Sequence, residues 1–512
     1  MCGIAAILDR SSRTFSESEG YGKVLVSMLE KIAYRGDKER FGETFVSDRF
    51  ALGTNRLAIV GRDDGQQPLV ENGGGLLAIF NGEIYNFRQL RAELERAGFV
   101  FRTSTDTEVL IYGYRAWKER LPEKIDGMFA FVVYDSETGE FLAARDHIGI
   151  KPLYYTVVSD VYYFASEQKC LVPFSDDITT VSPGCLIKNG QVRRYHDFDE
   201  TPLEMSQEEI VERVRMLFKE AVKKRVDTDL PIGVTFSGGL DSTAVLHFAH
   251  QYHPNVTAFT IGFKGAVDVE VASRYCKDYG IPHKIYELDQ DELTNILPRI
   301  VYEAEFFEGV DVMDTCLGYF PYQEIRKHGI KVALCGEGSD EVLAGYDLFR
   351  SHKDRDELMR YRVKNLHRTD VQRVDRSSMM NSVEARVPFL DKAFLEFAYQ
   401  IPMALKLVDG VEKWIFREAF RGDLPDYIIE RTKVRMPDGS GLKNTLYDYA
   451  AQQAAKQSGP LPERMPNGLE LRTPQDRFFL EQYLNAGFPL PKERFRLPGY
   501  DFSDHGYFDF VS

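Results

Sequence analysis

The chain has 512 residues, 43% apolar and 12% aromatic, with 64 basic against 79 acidic side chains and a net charge of −15. Such a composition excludes wholesale disorder and disfavours docking on nucleic acid or on acidic membrane surfaces. No apolar run reaches the ~18 residues of a membrane-spanning helix, and the N-terminus lacks the basic-then-apolar order of a signal peptide, so a cytoplasmic protein of two or three domains is expected.

From Met1 to about Tyr195 the pattern is short alternating apolar runs bounded by Gly, Asp and Asn, which predicts strands at Leu76 to Phe80, Met128 to Tyr134 and Tyr162 to Ala165. Longer periodicity near Gly22 to Ile32 and Phe87 to Ala97 predicts helices, so this half should be packed sheets with helices outside. The acidic, aperiodic segment Asp197 to Met205 sets a boundary near residue 200, and Ser206 with Glu209 then has capping-box spacing. Ile210, Val214, Leu217 and Ala221 form the stripe of an amphipathic helix.

Strand-like runs then alternate with helical ones: Pro231 to Phe236, a helix from Ser242, Val256 to Ile261, a helix near Val269, His283 to Tyr286, and later Lys331 to Cys335. That alternation predicts a parallel sheet covered by helices on both faces. Beyond Gly345 the chain reads as mostly helical, with stripes at Asp391 to Gln400, Trp414 to Phe420 and Arg477 to Leu484. The six cysteines form no C-x-x-C pair, so neither a zinc ribbon nor a disulfide scaffold is indicated. Five of them read as reduced, buried small hydrophobes.

Chemistry concentrates in three places. The run Ser237-Gly238-Gly239-Leu240-Asp241-Ser242 lies between a strand and a helix, where backbone N–H groups and hydroxyls converge into an anion site suited to pyrophosphate. Its aspartate is placed to hold the magnesium that accompanies a nucleotide. A second glycine-rich run, Gly336-Glu337-Gly338-Ser339-Asp340-Glu341, follows another strand. In a parallel sheet both loops fall at the carboxyl ends of strands, the edge where ligands bind, so Asp340 can share the metal and Glu337 can be a base. Neither G-x-x-x-x-G-K-[ST] nor a G-x-G-x-x-G after a strand occurs. Cys2, once Met1 is removed, brings a thiol nucleophile and a free amine that can act as its base.

Cys2-Gly3-Ile4, Arg56, Asn81-Gly82-Glu83-Ile84-Tyr85-Asn86, Ser104-Thr105-Asp106 and the run Arg145 to Leu153 together resemble the glutaminase domain of class II amidotransferases. SGGLDS at 237 to 242, GEGSDE at 336 to 341 and VEARVPFLD at 383 to 391 resemble glutamine-hydrolysing asparagine synthetases, and the resemblance spans nearly the whole chain in family order. It implies an α/β protein. An N-terminal-nucleophile-hydrolase-like packed-sheet domain at 2–199 would precede a doubly wound, ATP-pyrophosphatase-like synthetase domain with a helical C-terminal part at 206–512.

By the same resemblance, Cys2 attacks the glutamine amide, Asn81 and the Gly82 N–H form the oxyanion hole, and Arg56, Asp106 and Glu83 grip the glutamine. Ser237, Gly238, Gly239, Asp241 and Ser242 would bind ATP phosphates, and Asp241 and Asp340 the magnesium. Ile261 and Gly336 would border the nucleotide, Glu337 would direct ammonia, and Lys433 would reach the phosphates. The implied partners are the small molecules glutamine, aspartate and ATP, with a homodimer left open as the assembly. Ammonia passing between domains implies an apolar internal passage.

Two departures stand out. Thr54-Asn55 precede Arg56-Leu57 where the family often has a histidine, and Asp311 to Phe320 reads DVMDTCLGYF where the family usually carries an arginine- and threonine-bearing stretch near the acceptor. The second carboxylate of an aspartate then needs another cation, with Arg386 or Lys413 as candidates. Glu303, Glu305, Glu308, Asp311 and Asp314 read as a solvated helix end and loop. The rival readings are an amidotransferase for another carboxylate, such as a secondary metabolite or sugar acid, a nucleotide-binding regulator without catalysis, and a bare glutaminase.

Overall fold

A computed structural model describes residues 2–11, 18–262, 266–432, 443–456 and 474–489. The chain divides into two compact units, one of residues 1–197 with 379–382 and one of 198–378 with 383–512.

In the first unit two six-stranded sheets carry the fold. One runs in the order Thr179–Thr180, Tyr154–Val158, Val161–Ala165, Cys2–Asp9, Phe50–Arg56, Glu43–Val46. The other runs Gln191–Arg194, Cys185–Lys188, Phe141–Arg145, Gly127–Asp135, Leu76–Ile84, Leu69–Val70. Neighbouring strands in both are antiparallel. Alternation along Cys2–Asp9 explains the layering: Ile4, Ala6 and Leu8 join Leu77, Ile79, Ala130 and Val132 in a core between the sheets, while Ala5 and Ile7 pack on Leu25, Met28 and Leu29 of the Ser18–Glu30 helix. The outer face of the second sheet is covered by Leu90 and Leu94 of the Phe87–Arg96 helix and by the Glu108–Trp117 helix. With both faces of each central strand buried, these strands are apolar throughout, and the layers run helix, sheet, sheet, helix.

The second unit opens with the Gln207–Arg225 helix, capped as expected: Ser206 Oγ accepts from the Glu209 N–H and Glu209 returns a bond to the Ser206 N–H. Its Phe218 is ringed by Phe248, Phe389, Phe394, Phe416 and Phe420, with centroids 4.7 to 6.2 Å away. The sheet is all parallel, in the order His283–Glu287, Val256–Gly262, Ile232–Thr235, Val332–Leu334, Glu384–Arg386. Leaving Ile232–Thr235 the chain first builds two strands to one side and then two to the other, so the order reverses between Ile232–Thr235 and Val332–Leu334. That reversal opens a crevice at the carboxyl ends of the two strands, and both glycine-rich loops emerge there. The fifth strand, Glu384–Arg386, was not expected: it is three residues long, with charged side chains at both ends. Among the described residues, no helix is long and apolar enough to cross a membrane.

Candidate functional sites

Strand register assembles the first site. Cys2 pairs with Arg56, and Asn81 and Gly82 pair with Ala130 and Phe129. The Cys2 N–H donates to Asn81 Oδ1 at 3.0 Å, which fixes the orientation of the Asn81 amide. Its Nδ2 is fully buried and makes no hydrogen bond. A buried donor left without a partner costs roughly 1–3 kcal/mol, and such a cost persists where a ligand oxygen is to be bound. Gly82 is required by close approach, since a methyl there would lie 2.0 Å from Met128 O.

The remaining residues expected at this site are also buried around it. Asp106 accepts the Ile84 N–H at 3.0 Å and so stays beside the strand that carries Asn81. Arg56 donates to Gly61 O at 2.6 Å and Val60 O at 3.1 Å. A methyl on Gly65 would lie 2.6 Å from Arg56 Nη2 and 2.8 Å from Thr105 Cβ, so the arginine and the Thr105-Asp106 turn line one space. Asn55, standing where a histidine was expected nearby, bonds Leu29 O, Ile32 O and the Gly42 N–H and so serves the scaffold.

Two neighbours of Cys2 escaped the sequence reading. Gln67 Nε2 stands 3.9 Å from Cys2 Sγ and 3.4 Å from Thr107 Oγ1, while its Oε1 accepts from the Phe80 N–H. Arg35, wholly buried, donates to Cys2 O at 3.3 Å and pairs with Glu167 at 2.6 Å. Asp146 of the Arg145–Leu153 run directly follows a strand of the other sheet, accepting N–H groups from Phe129, Ile148, Ile150 and Lys151. Burial raises its pKa, with those N–H groups pulling the other way. That run is therefore a scaffold stitched by hydrogen bonds.

The second site is a chamber of about 160 Å³ in the crevice, lined by Ser237, Gly239, Asp241, Ser242, Ile261, Gly336, Glu337 and Asp340 of the expected set. Gly238 turns the chain (φ 70°) without lining it, because a side chain there would meet Ala272 N at 2.9 Å. Lys433 lies outside the described residues. Gly239 caps the Leu240–Tyr252 helix, and the hydroxyls of Ser237 and Ser242 stand 3.2 Å apart at that N-terminus, where anions are favoured. Gly336 lets the second loop close on the first, since its Cβ would be 3.1 Å from Asp241 Cβ.

Lys413 joins the loops. Its Nζ is 2.5 Å from Asp241 Oδ2 and 2.6 Å from Asp340 Oδ1, and the other Asp241 oxygen accepts from Ser339 Oγ at 2.8 Å. The lysine holds a left-handed backbone (φ 55°) to reach them, a conformation that costs a residue with a side chain about 1–3 kcal/mol. Gly345 makes room, as a methyl there would lie 2.0 Å from Asp340 Oδ1. Arg431, also at the chamber, bonds Gly238 O at 2.6 Å and Asp268 at 2.5 Å.

Both candidates for an acceptor cation are thereby corrected. Lys413 serves the two aspartates, and Arg386 is buried in the sheet against Glu384 at 2.6 Å and Arg225 O at 2.8 Å. The reading of the acidic run as a solvated end and loop is overturned as well. Glu303 pairs with Arg299, Glu305 with Arg376, Glu308 with Arg368 and Asp311 with Arg373, at 2.8 to 3.0 Å. Three of these arginines come from residues 368–376, so Glu305, Glu308 and Asp311 face a segment 60 to 71 residues further along the chain.

Comparison with known proteins agrees with this two-site layout. The glutamine amidotransferase domain family matches residues 1–208, and the asparagine synthase family matches 213–357 and 348–501. Asparagine synthetase [glutamine-hydrolyzing] 2 of Arabidopsis thaliana is 32% identical over 96% of this chain and 89% of its own. Asparagine synthetase B of Escherichia coli K12 is 30% identical over 98% and 93%. Among solved structures, glutamine PRPP amidotransferase from B. subtilis is similar at 17% identity and a TM-score of 0.31, covering 56% of this chain and 65% of that one.

Proposed function

We propose that this chain, which belongs to the glutamine-hydrolysing asparagine synthetase family, makes asparagine from aspartate, glutamine and ATP, with AMP, pyrophosphate and glutamate as the other products. The observation that carries the first half-reaction is the buried, unbonded Nδ2 of Asn81 beside Cys2.

Cys2 Sγ attacks the side-chain amide carbon of glutamine, the Cys2 amine freed by loss of Met1 taking the thiol proton. Negative charge that develops on the amide oxygen is met by Asn81 Nδ2 and the Gly82 N–H, donors fixed before the reaction begins. The Cys2 amine returns its proton to the departing ammonia, and water then releases glutamate from the thioester. Arg56 takes the glutamine carboxylate, and Asp106 with Glu83 takes its amine.

In the second unit ATP lies along Ile261 and Gly336, with its phosphates on Ser237, Gly239 and Ser242. The acceptor carboxylate attacks the α-phosphorus and pyrophosphate leaves, giving β-aspartyl-AMP. Ammonia attacks the activated carbonyl, Glu337 takes the proton, and AMP leaves. Lys433 completes the phosphate contacts in this reading.

Magnesium fits the residues present. Two carboxylates converge on one point that the Lys413 ammonium neutralises, and magnesium bound with a nucleotide needs only one or two protein carboxylates, the rest being phosphate and water. Among the described residues no group of three or more metal-ligating side chains gathers, in keeping with a metal that arrives with its nucleotide. Asp241 and Asp340 would hold it, and it would neutralise charge on the leaving pyrophosphate. The reading keeps the chain in the cytoplasm, with small molecules as substrates and a homodimer as the assembly to check by light scattering.

The test is to incubate purified protein with glutamine, ATP, magnesium and aspartate. Asparagine with equimolar AMP and pyrophosphate is expected. Amidation of some other acid in place of aspartate would establish the rival acceptor.

A further inference from the structure

We infer that Gln67 is a positioning residue of the glutaminase, its side-chain amide aiming an N–H at the Cys2 sulfur and tying that sulfur to the turn that receives the glutamine amine. This rests on the reading of Cys2 as the nucleophile and adds a residue to its machinery.

Gln67 stands in the loop between the strands Phe50–Arg56 and Leu69–Val70 and is 3% exposed. Its backbone N–H donates to Glu43 Oε2 at 3.0 Å, and its Oε1 accepts the Phe80 N–H at 2.8 Å. The second bond settles which way the amide points, because a backbone N–H can only donate and so must meet the oxygen. Nε2 is thereby turned toward Thr107 Oγ1 at 3.4 Å and Cys2 Sγ at 3.9 Å. Phe80 directly precedes Asn81, so one strand, Leu76–Ile84, sets both this amide and the oxyanion donor. Beyond Thr107 a row of buried hydroxyls continues the contact: Thr107 Oγ1 is 3.3 Å from Thr105 Oγ1, which is 3.3 Å from Asp106 Oδ1. The row runs from the sulfur to the carboxylate that takes the glutamine amine in this reading.

Three groups thus hold three atoms of one residue. Asn81 Oδ1 takes the Cys2 N–H, Arg35 takes its carbonyl oxygen, and Gln67 faces its sulfur. A thiol is a weak acceptor, and at 3.9 Å the contact does little for it. As the proton passes to the Cys2 amine, charge gathers on the sulfur, and an N–H already aimed there gains strength. Catalytic hydrogen bonds that are long without substrate tighten in this way as the reaction proceeds. An interaction made mainly in the transition state raises kcat and leaves KM alone. The bond to Thr107 keeps the amide from swinging away before that moment.

The experiment uses the full chain and two variants, Gln67→Glu and Gln67→Met. Gln67→Glu keeps the shape and an oxygen for the Phe80 N–H but turns a second oxygen toward the sulfur, whereas Gln67→Met fills the space without a donor. Hydrolysis of glutamine is followed with ATP, magnesium and aspartate present, and alkylation of Cys2 by iodoacetamide at neutral pH is timed by mass spectrometry. In both variants kcat should fall about tenfold to a hundredfold, less than for a donor to an oxyanion because sulfur accepts more weakly, with the KM for glutamine within about threefold. Alkylation should slow as well, and more in Gln67→Glu than in Gln67→Met, because the sulfur reacts as the thiolate and a facing carboxylate opposes its charge. A merely structural role would spare Gln67→Glu, the variant closest in shape. Should either variant fail to fold, the other decides by the same two readings. A wild-type kcat and alkylation rate, or a raised KM with both unchanged, overturns the inference and leaves Cys2 as the nucleophile. Glutamine hydrolysis that survives complete alkylation of Cys2 overturns that reading, and the inference with it.

Discussion

The two sites of this chain are organised by different forces. Around Cys2 the positions are fixed by backbone pairing: Cys2, Asn81 and Gly82 sit on strands with both faces buried, and the Asn81 Nδ2 makes no hydrogen bond there. Around Asp241 the positions depend on charge, with a single ammonium spanning loops from two strands. The first arrangement is preorganised for a neutral substrate that becomes an anion in its transition state. In the second, the Lys413 ammonium holds two carboxylates together across the crevice. Side-chain deletions should therefore act sharply and locally at the first site and more broadly at the second.

A large local effect follows from that contrast. Asn81→Ala removes the waiting donor, and glutamine-dependent turnover should fall about 10²- to 10³-fold, as for other single oxyanion donors, while ammonium-dependent synthesis is kept. Steady-state kinetics with each nitrogen source checks this, and an equal loss with both sources would show that the two sites are not independent. Next come Asp241→Asn and Asp340→Asn, each expected to lower synthesis roughly 10²-fold or more with the glutaminase largely intact. Near-normal synthesis in either variant would move the metal and phosphate site elsewhere.

A smaller effect concerns stability. Lys406 is wholly buried with Nζ against Met359 Sδ, and burial lowers its pKa to about 7, Asp356 opposing the shift. The unfolded chain therefore binds a proton that the folded chain lacks between about pH 7 and the ~10.4 of a free lysine. Stability contributed at this position rises with pH across that window, and the cost of burying the amine is fully present below it. Lys406→Met should add about 1–4 kcal/mol at pH 7 and much less near pH 10. Urea denaturation at the two pH values measures it, and a gain independent of pH would mean that Lys406 is charged and paired in the fold.

Much of this architecture was legible because it is local. Strands buried on both faces read as apolar runs, the Ser206–Glu209 cap sits at fixed spacing, and glycine marks Gly82 and Gly336, where chains approach within a methyl's width. Asn81 could be named from its motif, but the free donor that gives it a role appears only once the Cys2 N–H has claimed its oxygen. What stayed hidden depends on partners far along the chain. Asp311 looks solvated until Arg373, 62 residues on, is seen beside it. Lys413 is a lone lysine in sequence and acquires its part by reaching Asp241, 172 residues away. Gln67 stands 3.9 Å from the Cys2 thiol on a loop with no signature, and the Glu384–Arg386 strand carries an ion pair where an apolar run would have announced it.

If one chain holds two separable half-reactions, Cys2→Ala parts them. With ATP, magnesium and aspartate, the variant should make no asparagine from glutamine and should make it from ammonium chloride at close to the wild-type rate. Asparagine formed from glutamine without the Cys2 thiol, or loss of synthesis with ammonium as well, would mean that the two half-reactions are not separate.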